Sequence, residues 1–257
     1  MKSRLLLLML AALAWSCSKQ DGEGTVDLQI GYEINGKPLA VDTLCYCNAA
    51  GNTFMITEIQ WFLSNIALLD ESGVWQLLGQ RHADDSLSMM TRHIFYLDTD
   101  IAESQWLRSA GIPSGRYTAL RFTFGLDEYD NKSGMFNNPP ESEMFWPDLL
   151  GGGYHYMKMN GKFIDNAGRP APLAVHLGIG QNEDFTVFYH NYFVVELPID
   201  FNVEANAENR LALTMVIDNW FRGLHTLDFN SFAGGIMQDQ TAQQRLKDNG
   251  GNVFKTT

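Results

Sequence analysis

Histidine and methionine side chains with the spacing of a metal site stand in the middle of the sequence. If residues 154–160 form a β-strand, His155, Met157 and Met159 project from one face, because alternate residues of a strand share a face. One imidazole and two thioethers on one face suit a soft ion, particularly Cu(I), and Trp146 lies shortly upstream. The alternative is that both methionines fill the hydrophobic core.

Two further histidines are candidate ligands of the same site. His176 lies in the segment 173–180, where apolar residues alternate with it, so its ring projects from the opposite face beside the small residues Ala174 and Gly178. His190 has the parity that would let it share a layer with His176. A hydrogen-bonded structural role is the alternative for His176.

Hard oxygen ligands are concentrated in a separate acidic turn, residues 127–134. Carboxylate, amide and hydroxyl oxygens of this kind suit Ca²⁺, although the spacing is not that of an EF-hand. The alternative is a solvated acidic turn. The candidate calcium ligands are Asp127, Asp130, Asn131 and Ser133.

The sequence contains three cysteines, and each needs a chemical role. Cys17 follows a short apolar run and matches a lipidation position, whereas Cys45 and Cys47 stand two residues apart. A disulfide between such close neighbours is strained. The pair is therefore interpreted as two free buried thiols, a strained or intermolecular bridge, or a pair of soft-metal ligands.

Several function classes are disfavoured by motif and charge. The sequence carries no Gly-x-Ser-x-Gly elbow, phosphate-binding glycine loop, His-Glu-x-x-His helix or Cys-x-x-Cys-His haem motif. Its 18 basic and 30 acidic residues give a net charge of −12. Removing residues 1–16 with Lys2 and Arg4 leaves 16 against 30, or −14. This balance argues against nucleic acid as a partner, and we expect no enzymatic activity.

The elements that must position these residues are β-strands. Period-two alternation recurs at 26–34, 120–126, 185–197 and 211–217, and Asn35-Gly36 is a strong hairpin signal. Many short strands favour an all-β fold, a Greek-key β-sandwich with long inserted loops and one or two short helices. The inserted loops are expected at 80–92, 127–150 and 222–236, and short helices after Asp100 and at 238–248.

The N-terminus has the pattern of a bacterial lipoprotein. A basic start and a short apolar run in residues 1–16 form an export signal, and Ala14-Trp15-Ser16-Cys17 resembles a lipoprotein cleavage site. Residues 17–24 then form a flexible lipidated tether, 25–235 the β domain and 236–257 a C-terminal helix and tail. We expect a lipid-anchored envelope protein of the outer membrane, facing the periplasm or the cell surface.

Four sequence segments give the chain a family resemblance. These segments lie at 57–73, 112–128, 144–163 and 173–180, and in that order they resemble the MbnP-like envelope proteins. The resemblance implies a copper-binding β-sandwich. It also implies that the partner is a diheme cytochrome c peroxidase-like protein. In some members a tryptophan is oxidised to a kynurenine beside copper-binding histidines.

Individual residues can be carried over from this resemblance. The family's motif is matched at Met144, Trp146, Gly153 and Tyr154. It is not matched at Asp148, where the family usually has a second tryptophan. The resemblance therefore implies a site at Trp146 that lacks the family's second tryptophan.

The last of the four segments, 173–180, resembles the family's His-x-Gly strand, which matches at His176. The resemblance therefore makes Trp146 and His176 the strongest site candidates.

We expect a non-catalytic copper protein, and one alternative belongs to another class. Exposed aromatic side chains could instead form a recognition surface for glycan or protein. In that case the metal site would have been lost. The residues that would supply this surface are Trp75, Trp106, Tyr129, Phe136 and Phe145.

Overall fold

The alternating apolar segments form fifteen strands in the computed structural model, which describes residues 22–79, 94–232 and 235–256. The strands are β1 (Glu23–Ile34), β2 (Lys37–Pro38), β3 (Tyr46–Cys47), β4 (Thr53–Asp70), β5 (Trp75–Leu77), β6 (Ile94–Asp98), β7 (Trp106–Pro113), β8 (Gly115–Phe124), β9 (Met157–Ile164), β10 (Pro170–Leu177), β11 (Ile179–Gln181), β12 (Phe188–His190), β13 (Phe193–Val203), β14 (Glu208–Val216) and β15 (Phe254–Thr256).

The first sheet joins the two ends of the described chain. Its strands run in the order β15-β14-β1-β2, and β7 also pairs with β1. Strands β1 and β14 are parallel, with Thr25 opposite Glu208. The β1–β2 turn is formed by Asn35 and Gly36, whose φ values of 52° and 70° are those of a tight hairpin, so this turn prediction is confirmed.

The second sheet carries the functional side chains. Its main path is β10-β9-β4-β8-β13, and the 18-residue strand β4 also pairs with β3, β5 and β6. One row across four strands holds His176, Lys158, Gln60 and Asp98. Polar groups therefore run side by side along one face of this sheet.

The opposite face of the second sheet packs on the first sheet. The Trp61 indole N–H donates to the Tyr32 hydroxyl at 2.9 Å, and the Trp61 and Phe254 rings lie 5.5 Å apart. Phe122 meets the same Phe254 ring at 5.1 Å. These contacts join the two sheets through one buried core, so the predicted β-sandwich is confirmed.

A second apolar layer covers part of the outer face. Phe62 of β4 stacks on Phe136 of the 127–150 loop, with ring centroids 5.2 Å apart. The backbone N–H of Phe136 donates to the Tyr154 hydroxyl, which fixes the loop against the sheet. The second sheet is thus buried on both faces in this region, and the candidate site lies where this aromatic layer meets the polar row.

The helical predictions had different outcomes. The predicted C-terminal helix is confirmed as α1 (Gln240–Asn249), which the Asp239 side chain caps. The helix predicted after Asp100 is wrong, because the chain makes a 3₁₀ turn at Ala102–Gln105 and continues into β7. Pairing with β1 overrides the local helical signal there.

Two regions of the sequence analysis lie outside the described residues. The export signal at 1–16 with Cys17 is one of them, and the predicted loop at 80–92 is the other. Within the described part of the chain, no helix is long and apolar enough to cross a membrane. The C-terminal segment 236–257 contributes α1 and β15, and β15 pairs with β14 in the first sheet.

Candidate metal site

Three aromatic rings meet at the edge of the second apolar layer. The Trp146 and His155 ring centroids are 4.6 Å apart, and those of His155 and His176 are 5.1 Å apart. Both pairs are edge to face, at 75° and 79°. Metal–imidazole bonds of about 2.0–2.1 Å put two rings that share one ion roughly 4–6.5 Å apart, centroid to centroid. The spacing of the two histidines therefore suits a shared ion.

His155 is held in one tautomer by the backbone. Its Nδ1 lies 2.9 Å from the Met144 carbonyl oxygen, which can only accept, so the proton is assigned to Nδ1. Nε2 then carries a lone pair. This atom is buried and has no hydrogen-bond partner among the described residues, and the side chain is only 5% exposed. A buried lone pair without a partner is costly, unless a ligand such as a metal ion takes it.

Trp146 is fixed on three sides. Its indole N–H donates to the Leu150 carbonyl at 3.0 Å, and its backbone N–H donates to the Gly153 carbonyl at 2.8 Å. Gly178 lies against the ring face, since a Cβ there would come within 2.6 Å of Trp146 Cε3. Asp148, where the family phrase has a second tryptophan, accepts a hydrogen bond from Ser133 Oγ at 3.1 Å. The loop thus places one indole beside the histidines.

His176 projects from the outer face of β10, as its parity predicts. Its Nε2 lies 2.9 Å from Asn160 Oδ1, and Asn160 Nδ2 donates to Glu58 Oε2 at 3.3 Å. The hydrogen bond to Glu58 orients the Asn160 amide so that its oxygen accepts from His176. The His176 proton is therefore assigned to Nε2, which leaves the lone pair on Nδ1. Hydrogen bonds of this kind orient the histidine ligands of metal sites.

Both imidazoles are neutral at neutral pH. Burial lowers the pKa of His155 from 6.5 to about 3, with a smaller contribution from neighbouring His176 and Lys158. Burial and the Lys158 ammonium lower the pKa of His176 to about 4. Neither ring needs to lose a proton before it binds a metal ion.

The structure does not bring Met157 and Met159 to this site. Strand β9 begins at Met157, so the predicted shared face of His155 with the two methionines is wrong. Met157 lies opposite Leu177 and Met159 opposite Val175, and both thioethers are fully buried in the core between the sheets. Their position matches the core-filling alternative.

His190 also lies apart from the three rings. It pairs with Ile179 at the end of β12. Its Nε2 is 3.9 Å from Glu128 Oε1, and its ring is 6.2 Å from that of Tyr192.

The acidic turn at 127–134 uses its oxygen atoms within the protein. Asp127 Oδ1 accepts from two backbone N–H groups of the turn, and Asn131 Oδ1 accepts from the Tyr154 N–H at 2.8 Å. Ser133 Oγ accepts from Gly153 N–H. Burial raises the pKa of Asp130 to about 6. These bonds hold the Trp146 loop in place, and calcium binding by the turn remains a prediction.

An additional acidic group was missed in the sequence because Glu58 is far in the chain from Asp98 and Asp100. Ligand atoms of Glu58, Asp98 and Asp100 lie within 4.8 Å of one another. Among the described residues, this is the one place where three carboxylate, thiol or imidazole groups converge in this way. Within the described part of the chain, the imidazoles of His155 and His176 therefore have no third ligand of these types.

The aromatic residues of the alternative recognition surface are spread over several elements. Trp106 lies on β7 of the first sheet, Trp75 on β5 stacks under the Arg121 guanidinium at 4.0 Å, and Phe136 is packed against Phe62. Tyr129 and Phe145 are exposed on the 127–150 loop. Another exposed apolar group, on the β11–β12 hairpin, was not predicted and comprises Phe185, Val187, Phe188 and Tyr189.

Cys45 and Cys47 are free and both exposed, so the alternative of two buried thiols is wrong, whereas an intermolecular bridge and a soft-metal pair stay predictions. Between them Tyr46 is buried, and its hydroxyl bonds both the N–H and the carbonyl of Ala40. We expect both thiols of the reduced protein to be alkylated by a maleimide without denaturant, as shown by mass spectrometry of the peptides. Labelling that required unfolding would contradict the exposed position of the pair.

Comparisons with known proteins identify the family and the fold. The sequence profile of the MbnP family matches residues 23–238. Among solved structures, MbnP from Methylosinus trichosporium is similar, with a TM-score of 0.55 and 15% sequence identity over 82% of this chain and 87% of that chain. A search of the curated proteins gave no match. Since the family profile spans most of the chain, including the three rings of the candidate site, this protein is a member of the MbnP family.

Proposed function

We propose that this protein binds one copper ion, as Cu(I), through His155 Nε2 and His176 Nδ1 beside Trp146. The observation that carries the proposal is the buried Nε2 of His155, which has a lone pair and no partner among the described residues. The neighbouring His176 offers a second neutral imidazole at a suitable ring separation. Bound copper would supply a soft centre that exchanges a single electron.

The surroundings favour a monovalent ion over a divalent one. Two imidazoles converge here among residues 22–79, 94–232 and 235–256, which suits the low-coordinate preference of Cu(I). The Lys158 ammonium is close enough to lower the pKa of both histidines, so it also repels a bound cation. This repulsion rises with the charge of the ion and is weaker for Cu(I) than for Cu²⁺ or Zn²⁺.

Family membership supports the remaining proposals on biological context. We propose a non-catalytic role in the cell envelope, with a lipid anchor at Cys17. The resemblance noted in the sequence also motivates a diheme cytochrome c peroxidase-like protein as the partner, for which Trp146 is a buried oxidisable group next to the histidines.

Copper content of loaded protein tests the proposed site. The protein is loaded with Cu(I) under reducing conditions, dialysed and measured by elemental mass spectrometry. We expect about one copper per chain in the wild type and in the control His225→Ala, whose ring is bonded to Asp248 instead. His155→Ala and His176→Ala are each expected to lose at least about 90% of the metal, since each removes one of two protein ligands.

Other outcomes overturn the site. Full copper retention in both histidine variants would move the ion elsewhere, with Met157, Met159 and His190 next to be tested. A wild-type protein that binds no copper would contradict unassisted binding.

A further inference from the structure

The backbone N–H and carbonyl of Gly178 are bonded by side chains and not by a neighbouring strand. The Gly178 N–H donates to Gln243 Oε1 at 3.1 Å, and its carbonyl accepts from Asn191 Nδ2 at 2.9 Å. Gly178 stands between β10 and β11, where it belongs to neither strand. Two buried amides therefore replace the backbone partners that a regular strand would provide.

These two amides belong to a larger buried network. Asn191 Nδ2 also lies 3.1 Å from both Gln243 Oε1 and Gln240 Oε1, and Gln240 Nε2 donates back to Asn191 Oδ1 at 3.2 Å. Gln243 Nε2 donates to the Met237 carbonyl at 3.1 Å. Asn191 and Gln243 are fully buried. A satisfied amide network of this kind is rigid, because each lost bond leaves a buried polar group without a partner.

The network ends directly against the metal site. Gly178 lies against the face of the Trp146 ring. A Cβ atom added at Gly178 would be only 2.6–2.8 Å from three atoms of that ring. Gly178 also follows His176 by two residues along the chain. The same glycine thus contacts the indole and lies in the backbone segment that carries one imidazole.

The helix that supplies the glutamines lies beyond the part of the chain matched by the family profile. That match ends at residue 238, whereas α1 spans Gln240–Asn249. A further contact ties this helix to the turn that holds Asn191, since Lys247 Nζ donates to the His190 carbonyl at 2.9 Å.

We propose that Asn191 and Gln243 are positioning residues of the site, through which α1 fixes Gly178 and thereby the spacing of Trp146 and His176. This inference rests on the proposed function for its copper readout only. Without the network, Gly178 and the indole packed on it would relax while the sandwich kept its core.

The test compares two neighbouring glutamines of one helix. Gln243→Met removes the buried amide at nearly constant volume. Gln244→Met is the matched control, since Gln244 is exposed and bonds only Asp248 among the described residues. NMR spectra of the metal-free protein report the resonances of the Trp146 indole N–H and of the His176 ring. Competition with a chelator then gives the affinity for Cu(I).

We expect Gln243→Met to keep the circular dichroism of a folded sandwich, to shift both sets of resonances and to weaken copper binding at least about tenfold. Gln244→Met should match the wild type. Unchanged Trp146 and His176 resonances in folded Gln243→Met would overturn the inference, whatever its stability.

Two further outcomes are distinguishable. If the wild type binds no copper, the proposed function fails, but the metal-free spectra still decide the positioning role. If Gln243→Met does not fold, Gln240→Met decides the matter, since the Gln240 side chain bonds Asn191 alone among the described residues. A smaller shift of the same resonances supports the inference, and no shift overturns it.

Discussion

The metal-free protein is expected to lose at most about 5 kcal/mol of unfolding free energy as the pH falls from 6.5 to about 4.5. Burial depresses the pKa of His155 to about 3 and that of His176 to about 4. Between these values and 6.5, the unfolded chain binds protons that the folded protein excludes. Acid therefore favours unfolding through this window, and each histidine contributes up to about 1.4 kcal/mol per pH unit.

Carboxyl groups whose pKa is raised by burial act in the opposite direction, namely Asp130 and also Glu58. Burial raises the pKa of Asp130 to about 6, so the folded protein takes up this proton at a higher pH than the unfolded chain does. Asp130 therefore adds stability as the pH falls through 6. The variant Asp130→Asn removes this offset and is expected to show a steeper loss of stability in acid.

Urea unfolding of chelator-treated protein over a series of pH values measures the effect. The double variant His155→Gln/His176→Gln carries no imidazole at the site and should show a much flatter profile than the wild type. A wild-type free energy that did not change between pH 6.5 and about 4.5 would contradict the burial of two neutral histidines.

Gly161→Ala is expected to cost about 3 kcal/mol of unfolding free energy. A Cβ at Gly161 would lie 2.0 Å from the carbonyl oxygen of Met55, which belongs to the neighbouring strand β4. The obstacle is backbone in the interior of a sheet, so no side-chain rotation can relieve it. The β4 register shifts between Ile56 and Glu58, beside this contact.

Thermal and urea unfolding check this prediction, with Gly251→Ala as the control. A Cβ at Gly251 meets no atom within 4 Å, and its φ is not positive, so we expect a change within about 0.5 kcal/mol. Because Gly161 follows Asn160, which bonds His176, the Gly161 variant should also bind copper more weakly. Equal stability of the two variants would contradict the close approach of β9 and β4.

Most strands could be predicted from the sequence because burial on one face imposes period two. The segment 26–34 shows this alternation and forms β1, and Asn35-Gly36 provides the two positive φ angles of its turn. The segment after Asp100 was predicted as a helix because its capping pattern is local. Pairing of Trp106–Pro113 with β1, far away in sequence, decides its structure instead.

The site was predictable in part, for a related reason. The parity of β10 places His176 on the outer face, and the family phrase identifies Trp146. Parity fails for His155, because β9 begins two residues later and the preceding chain crosses to the rim of the aromatic layer. The contribution of Gln243 depends on a contact between the C-terminal helix and Gly178, which no local pattern encodes.

The parallel pairing of β1 with β14 has a consequence for how the protein acquires its fold. Strand β1 pairs along its length with β14, the last but one of the fifteen strands to be synthesised. The hydrogen bond between Asn35 and Asp218 joins residues that are 183 positions apart in the sequence. Contacts this distant in sequence slow folding, since the chain must close the loop before the pairing contributes any stability. Until β14 arrives, one edge of β1 stays open to pairing with other chains. Refolding is thus expected to be slow and to lose yield as protein concentration rises.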